Sequence, residues 1–585
     1  LARLHAARPR PVLAIAPDTT GAEAFAADLR FYRGDREGTS PLERHVHVLP
    51  GWEIPPFEPL SPTRETVAAR MEGFHHLLQT SDPIIVTTIE AWGQRGLPRA
   101  VFGEAITYVV TGEAIAPATL VERLVGWGYH RVPLVQDPGD VALRGGILDV
   151  HPAGYTRPVR FEFFGDDIES IRVLDAVSQR SLDRVEDVLL LPLREFAPHH
   201  LGAAVARVID ARAAEVALAR QERRDLVEAV RSGFVLPGME GLLPYLHPSL
   251  GTLADFLPER TLVWVLQGSA LETGVEATWQ QVVRHAEAAE AEGRFHCPTQ
   301  ALYLAPAEWR ARLGRWPRIE VEGLESLVGD DLRAMTYSTD GIALRGAATS
   351  DAPLKAVADR LHEWQRDGAR LVVVATTPAR RDRLRALLVP YGIDALATDA
   401  PFGQALSTKG RGPLALTGDL SCGVRLPADG LAVATEAEFF GEPRQIRRGR
   451  RERPADVFSS LAALKPDDYV VHVDHGVALY RGLKHMLVAK TAGDYLHLEY
   501  DGGDRLYVPV DRINVVQRYV SADGGTPPLD KLGGTSWERV KARAKESLLA
   551  MAHELLQVYA AREAHGRRPY AQSDPLYQEF VARFP

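Results

Sequence analysis

Two imidazoles and a carboxylate stand together in His472-Val473-Asp474-His475-Gly476. Such a trio could move protons or activate a nucleophile. No serine in a nucleophile-elbow pattern lies beside it, and its place at a strand end next to glycine predicts a hydrogen-bonded turn. His553-Glu554-Leu555-Leu556-Gln557 departs from the HExxH zinc pattern at its last residue and falls inside a helical repeat. No GxxxxGK[ST] loop occurs, so the commonest ATP cradle is missing from these residues. Gly21 follows the apolar run Val12–Ala16, but no lysine follows it to reach a phosphate. Carboxylates are abundant without an evident acid/base couple. The sequence therefore assigns no catalytic residue and no metal site, and reads as a set of docking modules.

The chemistry of contact is better represented. Arg144–Arg180 reads as strand, Gly/Pro turn, strand, acidic turn, strand. Side chains alternate along a strand, so Val159, Phe161 and Phe163 share one side, and Arg160, Glu162 and Phe164 the other. An exposed arginine with an exposed aromatic is the composition of a protein-binding hot spot. The pattern also admits a plain surface, with Arg160 paired to Glu162, Asp166 or Asp167 and Phe164 under a neighbouring domain.

The elements that must carry these residues are numerous. A chain of 585 residues exceeds what one core supports and implies several domains. Apolar content of 45% and charged content of 25% are ordinary for globular protein. A net charge of −9 excludes a basic nucleic-acid coat, so any DNA contact is local. The two cysteines, Cys297 and Cys422, form no disulfide framework or zinc spacing, which fits a reducing cytoplasm. No apolar run reaches the about 18–20 residues of a membrane span. The chain begins at Leu1 rather than Met and reads as a fragment.

Residues 1–90 alternate strand and helix, as in an α/β layer on a parallel sheet. Pro198 to Asp225 is rich in Ala, Arg and Glu and predicts one long helix. Leu371–Ala375, Pro413–Thr417 and Leu431–Thr435 are strands of a second α/β unit. Arg444–Arg453 is a basic run read as a solvated linker, with a phosphate contact as the minor alternative. Short strands follow at Tyr469–Val473, Ala478–Leu483, Tyr495–Tyr500 and Leu506–Val510, the spacing of a small β-barrel. Thr535-x-x-Glu538 is a capping box opening an amphipathic helix that runs to about Arg562, on the order of 40 Å long.

Leu49-Pro50-Gly51-Trp52-Glu53, Pro56-Phe57-Glu58, Ser61-Pro62 and Arg70 resemble the first domain of the UvrB-like proteins of nucleotide excision repair. Arg144–Arg180 resembles their UvrA-binding insert. Val471–Val477 with Tyr480 and Gly482, Tyr495–Tyr500, Leu506–Val510, Leu529–Gly534 and Trp537 resemble the polymerase-interacting domain and following helix of the Mfd-type transcription–repair coupling factors. The resemblance runs in order over essentially all of the chain.

It implies a multi-domain α/β fold. The implied parts are a UvrB-like α/β domain in two parts (1–126 and 198–315) around a UvrA-binding insert (127–197), and a small α/β domain (316–441). A basic linker (442–464), an SH3/Tudor-like polymerase-interacting β-barrel (465–520) and a long helix leading toward a translocase module (521–585) complete it. The implied function is transcription-coupled repair in the bacterial cytoplasm: binding RNA polymerase at a lesion through its β subunit and recruiting UvrA. The implied motor, an ATP-driven translocase on double-stranded DNA with its ATP and Mg²⁺, lies beyond Pro585, and these residues are expected to be inactive alone. The family motif places UvrA contacts on Arg144, Arg160 and Phe164, and the polymerase contact on Leu496, whose alternative is plain barrel core. A stand-alone UvrB-type subunit would need a phosphate loop and a damage-probing hairpin, neither of which is found. A non-enzymatic polymerase-binding regulator would not explain the residues before the barrel.

Overall fold

The structure is a computed structural model that describes residues 1–35, 44–176, 178–321, 337–338, 355–407, 412–440, 467–472, 475–488, 491–509, 516–518 and 529–532. The chain divides into two units, Leu1–Ala455 and Asp456–Pro585. The basic run at Arg444–Arg453 and the helix expected from Thr535 lie outside the described residues.

The first unit opens with a five-stranded parallel sheet. Its strand order is Arg318–Val321, Leu262–Leu266, Val12–Ala16, Ile84–Thr88, Val46–Leu49. The central Val12–Ala16 strand is buried at every position because helices cover both faces, which is why it reads as a continuous apolar run. The Thr19–Arg33 helix follows, with Asp18 as its N-cap: Asp18 Oδ1 accepts from the Gly21 amide at 2.7 Å. The protein's own carboxylate thus fills the helix N-terminus where a phosphate-binding loop would seat its anion. Arg318–Val321 completes this first sheet, so the small α/β domain expected from residue 316 starts later. The long helix expected over Pro198–Asp225 is two helices, Ala203–Glu215 and Arg220–Ser232, parted by a turn in which Ala217 has φ 53°. Composition favoured helix throughout, but the break lets the two helices fold back and share one core through Ala206, Ile209, Val227 and Val230.

The Arg64–Gln79 helix, capped by Thr63, is buried along most of its length, including Arg70. Arg70 Nε donates to Glu195 Oε1 at 2.7 Å, and its guanidinium donates to the Pro50 carbonyl at 2.8 Å and Gln94 Oε1 at 3.1 Å. Glu195 also accepts from Trp52 Nε1 at 2.8 Å and from the Leu97 amide at 3.1 Å. The Leu49-Pro50-Gly51-Trp52 motif and Arg70 are therefore one buried ion-pair network, which ties the loop after the Val46–Leu49 strand to the segment that leaves the insert.

A second buried acid stands nearby. Glu240 is fully enclosed and accepts from Ser61 Oγ at 2.7 Å; burial pushes its carboxyl up to about 7. Below its ordinary value of 4.5 both folded and unfolded chains carry the proton. Between there and about 7 only the folded chain does, so stability falls as pH rises across that window. The deficit at pH 8 is at most about 3 kcal/mol. Glu240→Gln should therefore raise the denaturation midpoint of this unit at pH 8 and change it little at pH 4.5, as followed by thermal melts at both values.

The insert is a six-stranded sheet in the order Ser181–Val185, Asp167–Leu174, Val159–Phe164, Ile147–Val150, Asp140–Arg144, His130–Arg131, antiparallel except for the last pair. A separate ladder pairs Thr107–Val110 with Asp187–Leu190, so the β-rich region reaches back to residue 107, ahead of residue 127. The turns that set the register use Gly145 (φ +60°) and Gly165 (φ +66°), conformations that glycine adopts without strain. A second α/β sheet is built on Arg370–Ala375, Leu414–Thr417 and Leu431–Thr435. Its Ser421 donates to Asp28 of the Thr19–Arg33 helix at 2.6 Å, and Phe402 packs on Phe31 and Tyr32.

The second unit holds a five-stranded antiparallel sheet ordered Arg505–Pro509, Thr491–Glu499, Gly476–Val488, Tyr469–His472, Val516–Arg518. No pairing among the described residues joins the two outer strands. Val470, Ala478, Leu496, Leu498, Tyr500, Val508 and Val516 form its core. His472 pairs with Gly476 across a turn and stacks on His475, with ring centroids 4.7 Å apart. The chemical-looking histidines thus close a hairpin. Asp530 fixes its far side: Asp530 Oδ2 accepts from the Val477 amide at 2.9 Å, and a Cβ on Gly476 would collide with that carboxylate.

Candidate protein-docking site

The candidate site is the face of the insert sheet turned away from its core. Val141, Leu148, Val159, Phe161 and Ile171 point into that core. Alternation therefore sends their neighbours outward, and the register lines them up in rows. One row runs Asp149, Arg160, Arg172, Arg184 across four strands; the next runs Arg144, Ile147, Glu162, Ser170. Phe164 ends its strand opposite Asp167.

Three of the sequence-derived site residues meet here. Asp149, completely buried, accepts from Arg160 Nε at 2.7 Å, Arg160 Nη2 at 2.9 Å and Arg144 Nη2 at 2.7 Å. The two-pronged Arg160–Asp149 pair is the geometry in which a guanidinium is held most firmly. The bond to Asp149 lifts Arg160 above its ordinary value, so it stays charged at any accessible pH. Arg160 is 15% exposed and Arg144 49% exposed in their side chains. Arg160 is thus a largely covered, anchored cation, and Arg144 leaves about half of its side chain open to solvent.

Phe164 is 80% exposed, the most exposed large apolar side chain among those described. No domain among the described residues covers it, and Ile147, opposite Glu162, is partly exposed on the same face. The plain pairing of Arg160 with Glu162, Asp166 or Asp167 is not what forms: Glu162 accepts from Ser170 Oγ at 2.5 Å, and Asp149 takes Arg160. Asp149 is the site residue that sequence reasoning missed. Its signal was the alternation Leu148-Asp149-Val150, a carboxylate on the outward side between two core positions.

Leu496 is in the other unit. It is 1% exposed and packs with Leu498 and Tyr500 inside the sheet, on a strand flanked on both sides. Of the two readings left open for Leu496, its place in the sheet is that of a core residue. The core alternative is where the fold puts it, because alternation gives all three residues to the filled face.

Among the described residues no group of three or more His, Cys, Asp or Glu side chains could hold a metal ion. The insert face carries anchored cations and an exposed aromatic. A cation and an aromatic on one sheet face have the composition of a protein-docking module. Residues 108–196 match the UvrB interaction domain family, and residues 464–520 the CarD-like/TRCF RID domain family.

The chain is homologous along its whole length to transcription-repair-coupling factors. It is 35% identical to that of Myxococcus xanthus over 100% of this chain and 50% of the relative. To the Escherichia coli K12 factor it is 28% identical over 98% of this chain and 49% of the relative; for Bacillus subtilis the figures are 27%, 94% and 47%. The chain spans about half the length of these curated relatives. Among the described residues no helix is long and apolar enough to cross a membrane.

Proposed function

We propose that this chain is the partner-recruiting part of a bacterial transcription-coupled DNA repair factor. It binds RNA polymerase stalled at a lesion and brings UvrA to it. The observation that carries the reading is the exposed Phe164 on the same sheet face as two arginines fixed on one buried carboxylate, in a segment that matches a UvrB interaction domain. Arg144, Arg160 and Phe164 are the UvrA contact.

The sheet of the second unit, which matches the CarD-like/TRCF RID family, is an SH3/Tudor-like barrel that docks the polymerase β subunit. An outer strand, Arg505–Pro509 or Val516–Arg518, offers backbone groups to extend a partner's sheet, where main-chain hydrogen bonds give affinity. Leu496 supports that surface from within. The translocase activity on double-stranded DNA, with its ATP and Mg²⁺, belongs to other modules of such a factor.

This assignment has a direct check. The 585-residue chain should bind UvrA and RNA polymerase and hydrolyse no ATP, with or without duplex DNA. DNA-stimulated ATP hydrolysis by this chain would sink the docking reading and favour a UvrB-type enzyme.

A further inference from the structure

The arginine row does not stop at Arg160. Arg160 stands directly opposite Arg172, and Arg172 directly opposite Arg184, on one sheet face. Like charges directly opposed across strands are destabilising. The available carboxylates relieve this only partly. Asp149 is committed to Arg160 and Arg144. Glu162 is 3.8 Å from Arg172 while bonded to Ser170, and Glu186 is 3.9 Å from Arg184. Pairs that long and that exposed contribute little. The side chains of Arg172 and Arg184 are 40% and 52% exposed. The fold thus keeps three adjacent cations in a line that continues away from the proposed contact, and beyond Arg160 only long, exposed pairs and one 3.5 Å bond from Arg184 to the Glu169 carbonyl offset the repulsion.

We propose that the UvrA-docking face extends along this row to Arg172 and Arg184, and that the row takes an acidic strip on the partner protein. The inference rests on the functional reading above and deepens it. Continuity supports it, because Arg172 neighbours Arg160 in register. Charge supports it too: four arginines on the face, Arg144, Arg160, Arg172 and Arg184, meet two carboxylates in the same two rows, Asp149 and Glu162. The occupant is a protein rather than nucleic acid. Exposed Phe164 and Ile147 give the face apolar area that a phosphate backbone cannot use, and Glu162 and Asp167 add negative charge that would repel phosphates.

The test measures UvrA association with the whole chain at low and high salt for wild type, Phe164→Ala, Arg172→Glu/Arg184→Glu and the neutral pair Arg172→Gln/Arg184→Gln. The reversed pair should lose at least about thirtyfold in affinity, mostly in association rate, and its affinity should fall less steeply with salt. The neutral pair should lose about three- to tenfold and melt no earlier than wild type, since it relieves repulsion; it decides the matter if the reversed pair is unstable. Weak binding by Phe164→Ala with wild-type binding by both arginine pairs overturns the extension and leaves the site standing. Wild-type binding by Phe164→Ala overturns the site itself. Loss of duplex-DNA binding in the arginine pairs, with UvrA binding intact, overturns the protein-partner assignment.

Discussion

Truncating Phe164 to alanine should weaken UvrA binding by at least about thirtyfold, about 2 kcal/mol, without lowering the melting temperature. The two halves of that expectation have separate causes. Phe164 is 80% exposed, so its ring contributes little to the core, and surface changes of this kind stay within about 0.5 kcal/mol. In a complex the same ring would be desolvated on the face that carries Arg144 and Arg160, where an aromatic anchor does most. Arg160→Ala is a less clean probe. It leaves fully buried Asp149 with Arg144 as its remaining guanidinium partner, so stability and affinity should fall together. Titration calorimetry with parallel thermal melts separates the cases. If Phe164→Ala binds UvrA as wild type does, the exposed ring has another purpose and the site assignment fails.

Glu195→Ala should be the most damaging single change to the first unit. Glu195 and Arg70 are each almost wholly buried, 1% and 2% exposed. The carboxylate serves Arg70, Trp52 and the Leu97 amide at once. Removing it strands a guanidinium in the interior, a loss of about 3–5 kcal/mol. Glycine at position 96 shows how close the packing is, since a Cβ there would collide with Glu195 Oε2. Replacing both charges, as in Arg70→Met with Glu195→Leu, should recover much of the loss, because the cost lies in the unpaired charge rather than in the absent pair. Urea denaturation of the two variants checks this. Equal destabilisation by the single and the double change would mean that packing, not charge, holds this junction.

The outward face was legible because strand alternation is local: Val159, Phe161 and Phe163 on one side and Arg160, Glu162 and Phe164 on the other need no knowledge of the neighbours. Asp149 was not legible for the complementary reason. Its partner lies eleven residues away across a hairpin whose register is set by turns at Gly145-Gly146 and Ala153–Pro158, so the pair exists only once the strands are aligned. The same limit hid Glu195, which meets Arg70 across 125 residues. For Leu496, alternation correctly grouped it with Leu498 and Tyr500, but a strand pattern does not say which face is filled; the sheet's core settles that face as the inner one. The Pro198–Asp225 stretch misled because helix propensity accumulates across a composition while a chain reversal needs only one residue, Ala217, in a left-handed conformation.

The central claim is that one chain holds two partners for one purpose. Mixing the chain with RNA polymerase and UvrA and measuring the mass of the resulting species by light scattering tests it most directly. The account predicts a ternary complex with one copy of this chain, reduced to the polymerase-bound pair by Phe164→Ala. Competition between the two partners for the chain, or failure of either to bind it, would contradict the account.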